Sequence, residues 1–203
     1  MKHTFIQGSD EKLPTLLLLH GTGGNEEDLI PLANMIAPGA SILGVRGNVL
    51  ENGMPRFFRR LAEGVFDEKD LVFRTKELHD TISDLASQYN IDRKNIVAIG
   101  YSNGANIAAS MFYHYSNVLA GAILLHAMVP LRGMDLPNLS DTPIFIGAGK
   151  RDPLIPAAET KELSDELQNA GAEVTEYWTE GGHELRRDEV EQAKTWFDNR
   201  FRK

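Results

Sequence analysis

The pentapeptide Gly100-Tyr101-Ser102-Asn103-Gly104 constrains the fold of this chain more than any other feature. The stretch before it, 96–99, is short, apolar and mostly β-branched, which predicts a buried strand. The stretch after it, 104–114, is rich in small residues and predicts a helix. A strand, a sharp turn and a helix in this order present the serine oxygen at the carboxyl edge of a sheet, above a helix N-terminus. We therefore predict that Ser102 is a nucleophile.

Short apolar runs alternate with amphipathic stretches along the rest of the chain. The predicted strands are 4–7, 15–19, 40–45, 96–99, 121–125, 143–148 and 173–178, and the predicted helices are 25–36 with Asn25 as N-cap, 71–89, 104–114, 157–170 and 187–201. Strands that are apolar throughout are typical of a mostly parallel sheet with helices on both faces. The sequence predicts a single α/β domain over 1–203 without a large lid domain, and a site at the carboxyl ends of the strands.

Charge and cysteine content narrow the possible partners. The net charge of −8 argues against nucleic acid or an anionic membrane surface as a partner. The chain has no cysteine, which excludes disulfides, zinc–thiolate sites and a cysteine nucleophile and fits a reducing cytoplasm. The apolar run 16–19 is too short to span a bilayer, and residues 1–10 lack a long apolar core. We predict a cytoplasmic protein that binds a small molecule and does not insert into membranes.

A serine nucleophile needs a base, and the base needs an orienting acid. In sheets of this kind the acid and then the base follow the serine along the chain. Asp152 follows the strand 143–148, and His183 lies in a glycine-flanked loop after the last strand. We predict Ser102, Asp152 and His183 as the catalytic residues.

Other residues compete for these roles. Asp135 and Asp141 are rival acids, and Asp152 also suits the capping of the helix that follows it. His126 ends a strand and lies near the predicted site, but it precedes Asp152 in the chain.

The loop Leu19-His20-Gly21-Thr22-Gly23-Gly24-Asn25 suits an oxyanion hole. In folds with this elbow one donor is the N–H group after the nucleophile, here that of Asn103, and the other follows an early strand. Thr22 is the predicted second donor and Gly23 its alternative. The same loop is also compatible with an ordinary strand-to-helix turn.

Glycine motifs for phosphate binding are incomplete in this chain. The stretch Gly147-Ala148-Gly149-Lys150 lacks the first glycine and the final Ser or Thr of a phosphate-binding loop. Gly21 and Gly23 lack the third glycine of a dinucleotide fingerprint. No spaced group of His, Asp and Glu suggests a metal, so we predict no metal.

Together, the loop at 20–24, the pentapeptide at 100–104, Asp152 and Gly182-His183 resemble the α/β-hydrolase superfamily over nearly the whole chain. The small size is similar to the phospholipase/carboxylesterase family, which includes acyl-protein thioesterases. The stretches 46–49, 51–53 and 56–60 resemble a bacterial carboxylesterase branch linked to quinone or hydroquinone stress. The resemblance implies a serine hydrolase of small carboxylic esters that needs no cofactor. Asn103 stands where acyl-protein thioesterases usually carry glutamine, which argues against lipidated proteins as substrates.

The polar and aromatic segment 46–70 is long for a loop in a compact domain, and its region 46–66 is the predicted specificity element. Phe57, Phe58 and Phe66 are predicted to line an apolar pocket, or else to anchor the segment in the core. Arg46, or one of Arg56, Arg59 and Arg60, is predicted to bind a substrate carboxylate, or else these arginines pair with acidic residues of the segment.

The sequence leaves the reaction partly open. Thioester hydrolysis, lysophospholipid hydrolysis and C–C cleavage use the same triad, and a ligand-binding protein on this fold would not need turnover. A homodimer is compatible with the small size, but no apolar stripe identifies an interface.

Overall fold

The computed structural model describes residues 1–202, in which one large sheet is combined with two small hairpins and five helices. The elements in chain order are β1 (His3–Ile6), β2 (Thr15–Leu19), α1 (Ile30–Ile36), β3 (Ile42–Val45), β4 (Val49–Glu51), β5 (Met54–Arg56), β6 (Arg60–Ala62), β7 (Val65–Phe66), α2 (Glu68–Gln88), β8 (Ile96–Tyr101), α3 (Asn103–His114), β9 (Gly121–Leu125), β10 (Pro143–Gly149), α4 (Ala157–Asn169), β11 (Glu173–Thr179) and α5 (Arg187–Phe201).

The large sheet has seven strands in the order β1-β3-β2-β8-β9-β10-β11. The six strands from β3 to β11 are parallel, and β1 pairs antiparallel with β3 at one edge. The strand β8, which ends at Tyr101, lies in the middle of the sheet. The predicted single-domain α/β fold with a mostly parallel sheet is confirmed, and its topology brings the carboxyl ends of β2, β8, β9, β10 and β11 to one edge.

Helices cover both faces of this sheet, because the strands are apolar on both sides. In β2, Leu17 and Leu19 belong to the core under α2, α3 and α4, whereas Leu16 and Leu18 belong to the core under α1 and α5. All five residues of β2 are buried. This period-two division explains why the strand reads as a continuous apolar run.

The first residues of two helices differ from the prediction by three positions or more. The helix predicted over 25–36 begins only at Ile30, and Asn25 is not its N-cap, because its Oδ1 accepts from the Glu27 N–H at 2.8 Å in a local turn. The longest helix, α2, begins at Glu68, because Asp67 caps it by accepting from the Asp70 N–H at 3.1 Å. No helix within 1–202 is long and apolar enough to cross a membrane.

The segment between β3 and α2 consists of two hairpins, β4–β5 and β6–β7. Asn52 and Gly53 connect β4 to β5 with positive φ angles of 52° and 80°. Two successive residues with positive φ are what a tight two-residue hairpin turn requires, as the Asn-Gly pair predicts. Both hairpins lie next to the loops that carry the predicted site residues.

Candidate active site

Ser102 occupies a strained turn between β8 and α3. Its φ and ψ angles are 51° and −113°, a conformation that residues with a Cβ rarely adopt. The Ser102 N–H donates to the Leu125 carbonyl at 2.9 Å, which fixes the turn against the neighbouring strand β9. A Cβ on Gly104 would collide with the Leu19 carbonyl oxygen, so only glycine allows α3 to lie this close to β2.

Ser102, His183 and Asp152 form a continuous chain of hydrogen bonds. The His183 Nε2 atom lies 2.9 Å from the Ser102 Oγ atom, and the His183 Nδ1 atom lies 2.7 Å from the Asp152 Oδ2 atom. The other carboxylate oxygen of Asp152 accepts from the Leu154 and Ile155 N–H groups at 2.8 and 3.1 Å. Asp152 therefore holds its own loop and orients His183 at the same time.

The Asp152 side chain is buried and ionised. Burial raises the pKa of its carboxyl, but hydrogen bonds from His183, the Leu154 N–H and His126 outweigh this and lower the pKa overall. The rival acids Asp135 and Asp141 are exposed. An ionised Asp152 accepts the Nδ1 proton of His183, which leaves the His183 Nε2 atom free to take a proton from Ser102.

Tyr101 holds the loop that carries His183. Its hydroxyl donates to the His183 carbonyl oxygen at 2.7 Å, and the two rings lie 5.6 Å apart. Burial, together with the nearby carboxylate of Asp152, raises the pKa of Tyr101, so its hydroxyl stays a donor. The residue before Ser102 thus positions the loop that carries His183.

The N–H groups of Thr22 and Asn103 have no hydrogen-bond partner within residues 1–202, and both residues line the same cavity as Ser102. Gly23 was the predicted alternative to Thr22, and this prediction is wrong, because the Gly23 N–H donates to the Pro55 carbonyl at 2.9 Å. The geometry leaves Thr22 and Asn103 as the pair of donors available for an oxyanion.

His20 fixes the loop that carries Thr22. The Gly47 N–H donates to the His20 Nε2 atom at 3.1 Å, so the proton of the neutral ring lies on Nδ1, which donates to the Gly21 carbonyl at 2.6 Å. Burial lowers the pKa of His20 and keeps it neutral. His20 is therefore a structural residue of the loop.

The end of β5 supports both candidate oxyanion donors. The Arg56 Nη1 atom donates to the Thr22 Oγ1 atom at 2.7 Å, and the Phe57 N–H donates to the Asn103 Oδ1 atom at 2.7 Å. Together with the bond from Gly23 to Pro55, these contacts tie 55–57 to the residues on both sides of Ser102. This part of the segment 46–70 acts as a support for the site.

A cavity of about 260 Å³ opens above Ser102. Its walls combine apolar and polar side chains with two guanidinium groups. The lining residues are Thr22, Arg56, Arg60, Glu63, Gly64, Phe66, Tyr101, Ser102, Asn103, Asn106, Met128, Leu154, Ile155 and His183. Phe66, one of the predicted pocket residues, lies in this wall.

Phe57 and Phe58, in contrast, do not line the cavity, and the prediction that they do is wrong. Neither has solvent-accessible surface. Phe57 packs on the His20 ring with 4.7 Å between ring centroids, and Phe58 packs edge-on against Phe66 at 4.9 Å. The two side chains anchor the hairpins in the core, because burying an aromatic ring stabilises the fold more than exposing it in a small polar cavity would.

Arg46 also lies outside the cavity wall, and the prediction that it binds substrate is wrong. Its Nε atom donates to the Glu26 Oε2 atom at 2.5 Å. Glu26 is buried and also pairs with Lys2 at 3.2 Å. Among the predicted arginines, Arg56 and Arg60 reach the cavity, and both pair with Glu51, at 3.4 and 2.9 Å.

Two buried residues, His126 and Glu189, lie behind Asp152. The sequence placed His126 near the site without its role, and it gave no indication of Glu189. His126 lies between the two carboxylates, 3.0 Å from Asp152 Oδ2 and 3.3 Å from Glu189 Oε2. The only sequence signal was that His126 ends a strand, because Glu189 reads as an ordinary residue of an amphipathic helix. The ring nitrogens of His126 and His183 and an oxygen of Asp152 lie within 4.8 Å of one another, a spacing that their mutual hydrogen bonds explain.

The model of the phospholipase/carboxylesterase family matches residues 1–200. The chain belongs to this family, as its motifs and fold indicate. The MhqD protein of Bacillus subtilis strain 168, which carries the name of a hydrolase, is 56% identical over 197 residues, or 97% of this chain and 98% of the relative.

Solved structures agree with this assignment. The crystal structure of a Bacillus cereus carboxylesterase is 61% identical with a TM-score of 0.98, covering 99% of this chain and 95% of that chain. A structure of YahD with malic acid is 34% identical with a TM-score of 0.93, covering 98% of each chain. The chain is therefore an enzyme that hydrolyses ester bonds, like the carboxylesterase it resembles.

Proposed function

We propose that this enzyme is a serine carboxylesterase that works through an acyl-enzyme on Ser102, with His183 as base and Asp152 as the orienting acid. The observation that carries the proposal is the unbroken hydrogen-bond chain from the Ser102 Oγ atom to the buried Asp152 carboxylate. A serine in strained backbone geometry, aligned with a base and an acid, is the arrangement that nucleophilic catalysis needs.

In the first half of the reaction, the Ser102 Oγ atom attacks the ester carbonyl while His183 Nε2 takes its proton. The negative charge that develops on the carbonyl oxygen is stabilised by the Thr22 and Asn103 N–H groups, which have no partner within residues 1–202. The C–O bond to the alcohol then breaks, and His183 gives the proton to the leaving oxygen.

In the second half, water attacks the acyl group on Ser102, with His183 again taking the proton. The same two N–H groups stabilise the second oxyanion. Collapse of this intermediate breaks the bond to Ser102, and the proton held by His183 returns to the Oγ atom. The carboxylic acid leaves and the enzyme is regenerated.

The proposed substrates are small esters, because the cavity measures only about 260 Å³. Phe66, Met128 and Leu154 supply apolar wall for the acyl chain. Arg60 reaches the same wall and is half-buried, which suits a carboxylate on the substrate. The malic acid in the YahD structure, a small dicarboxylic acid, supports this choice of substrate charge.

The test is hydrolysis of p-nitrophenyl acetate, butyrate and octanoate by the wild type and the Ser102→Ala variant. We expect Ser102→Ala to lose roughly four to six orders of magnitude in kcat and the octanoate to be the poorest substrate. Ser87→Ala, an exposed serine on α2, is the matched control and should keep full activity. A fluorophosphonate probe should label the wild type at Ser102 only.

Two further substrates extend the same assay. Mono-p-nitrophenyl succinate should be hydrolysed several-fold faster than the uncharged p-nitrophenyl valerate, and Arg60→Gln should remove that preference. A thioester analogue of the butyrate tests the alternative reaction on the same triad. If wild type and Ser102→Ala are equally inert and the probe labels neither, the protein binds its ligand without turnover and the proposal is wrong.

A further inference from the structure

His126 is a buried histidine that the mechanism above does not use. It follows β9, its side chain has no exposed surface, and its φ angle is 56°. The His126 N–H donates to the Gly147 carbonyl at 2.8 Å, which holds the residue in this left-handed conformation. Left-handed backbone is costly for a residue with a Cβ, so the contacts of the side chain must stabilise it.

These contacts are two buried carboxylates on opposite sides of the imidazole. The Nδ1 atom lies 3.0 Å from Asp152 Oδ2, the same oxygen that His183 Nδ1 contacts at 2.7 Å. The Nε2 atom lies 3.3 Å from Glu189 Oε2, and the Glu189 side chain is also fully buried. The triad is thus continued inward to the first turn of α5.

The space for Glu189 is built into the fold. Glu189 is the third residue of α5, and its Oε2 atom accepts from the Arg186 N–H at 3.4 Å. A Cβ on Gly147 would collide with the Glu189 Oε1 atom, so β10 carries glycine where this carboxylate approaches. The N-terminal end of the helix also favours a negative charge at this position.

Proton counting limits the states of His126. Asp152 is ionised and accepts from His183, so a bond between His126 Nδ1 and the same oxygen requires a proton on Nδ1. The Nε2 atom faces Glu189 Oε2 at 3.3 Å, and a proton on Nε2 makes this contact a hydrogen bond. Burial alone lowers the pKa of His126, but the hydrogen bonds and charges of Glu189 and Asp152 outweigh it and raise the pKa.

We propose that His126 is a positioning residue of the active site, a buried imidazolium that orients the Asp152 carboxylate and sets the basicity of His183, and that Glu189 holds it there. This role rests on the proposed triad. The order of the chain is then Ser102, His183, Asp152, His126 and Glu189. The positive charge in the middle offsets one of the two buried negative charges, which a lone Asp–His pair would not do.

The charge of His126 acts on His183 through Asp152. The titratable groups that face His126 from the surrounding elements are Tyr101 at the end of β8, Asp152 after β10, His183 and Glu184 after β11, and Glu189 on α5. The rings of His126 and His183 lie 5.2 Å apart. A positive charge on His126 at this distance opposes a second positive charge on the neighbouring ring, and the pH profiles of the variants below test this effect.

The first variant is His126→Asn. Asparagine tolerates a positive φ and its amide can replace the Nδ1 donor to Asp152, but it has no charge and does not contact Glu189. We expect kcat to fall about tenfold with little change in KM. The acid limb of the pH profile, the range in which kcat/KM falls as pH is lowered, should move to higher pH by roughly half a unit or more. The reason is that His183 loses a neighbouring positive charge.

The matched control is His114→Asn. His114 lies at the other end of α3 from Ser102, about 18 Å along a twelve-residue helix, and its ring hydrogen-bonds the Ser110 carbonyl one turn back. It should leave both kcat and the pH profile unchanged. Glu189→Gln is the second variant and should move the acid limb in the same direction by a smaller amount, because His126 without this counter-charge loses its proton and with it the positive charge next to His183.

The protonation of His126 is also measured without turnover, by 15N NMR of histidine-labelled Ser102→Ala protein. We expect two N–H protons on His126 from pH 6 to 8, with the signal assigned by replacing each of the other five histidines in turn. This measurement does not depend on ester hydrolysis, so it separates a failure of this inference from a failure of the proposed function. It also serves if His126→Asn does not fold.

Two results would overturn the inference. One is a bare ring nitrogen on His126 at neutral pH. The other is a folded His126→Asn variant, verified by circular dichroism, with the acid limb of the wild type. A purely structural role predicts lower stability with an unmoved pH profile.

Discussion

Two regions meet at the candidate active site, and they relate to the sequence in opposite ways. The loops after β8, β10 and β11 bring Ser102, Asp152 and His183 together as the chain order predicts. The segment between β3 and α2 was predicted to bind substrate with three phenylalanines and with Arg46 or one of three alternative arginines. Of these residues Phe66, Arg56 and Arg60 reach the cavity, whereas Arg46, Phe57 and Phe58 do not.

The difference teaches what a parallel sheet specifies. A residue directly after a strand has its place fixed by the strand order, so a motif there has few alternative positions. The strand order of the large sheet does not fix the positions of residues in a segment of two hairpins. Its aromatic and arginine residues are equally suited to a pocket wall and to the core, and packing decides between them.

Among the variants that distinguish core residues from cavity residues, we expect the largest effect for Phe58→Ala, and this effect is on stability. Because Phe58 is fully buried, the variant should lower the free energy of unfolding by about 3–5 kcal/mol, measured by urea denaturation. Phe66→Ala should cost less stability but shift the preference among acyl chain lengths, because Phe66 lines the cavity. A changed acyl preference in a Phe58→Leu variant of normal stability would return Phe58 to the pocket wall.

A smaller effect, on the catalytic rate, is expected for Arg56→Met. Arg56 connects the hairpin segment to the loop of Thr22. Loss of the bond to the Thr22 Oγ1 atom should loosen the loop that carries one oxyanion donor and reduce kcat about tenfold, with a smaller change in KM. Arg59→Met, an exposed arginine of the same segment, is the control and should keep normal rates. Equal loss of rate in both variants would show that the segment acts through its charge alone.

The smallest effect concerns Arg46 and its partner Glu26. Burial raises the pKa of Glu26, but hydrogen bonds from its own backbone N–H, Lys2 and Arg46 lower the pKa overall. The ionised form therefore stabilises the fold above the ordinary carboxyl value of 4.5, and this stability is lost as pH falls through the lowered pKa.

Glu26→Gln should accordingly reduce the free energy of unfolding at pH 7 by roughly 1 kcal/mol, since Lys2 and part of Arg46 are exposed and screened. The difference from the wild type should shrink as pH falls below 4.5, as followed by urea denaturation at several pH values. The preference for the charged ester should stay unchanged. A lost preference would place Arg46 at the substrate after all.

Much of the fold was predictable because strands that are buried on both faces of the sheet are apolar at consecutive positions. The run at β2 is apolar at consecutive positions, and the structure buries it completely. The helix predicted from Asn25 was placed too early, because the acidic residues after Asn25 form a local turn that propensity does not distinguish from a first helical turn.

In the candidate site, too, some residues were predictable from local sequence and others were not. Ser102 lies in a motif whose glycines allow β2 and α3 to approach closely. Its position at the turn is therefore predictable from the local sequence. Thr22 was the predicted second oxyanion donor and the adjacent Gly23 its alternative, and the local sequence excludes neither. Only the tertiary structure shows that the Gly23 N–H donates to the Pro55 carbonyl and is therefore not available to an oxyanion.

The sequence by itself determined the parallel α/β sheet, the turn at Ser102 and the order of Asp152 and His183, because local periodicity and strand order encode them. Only the tertiary structure decided which arginines and aromatics face the cavity, and only it placed His126 between Asp152 and Glu189. The physical reason is that a contact between β9, β10 and α5 joins residues up to 63 positions apart, and no local pattern records which buried polar groups will meet.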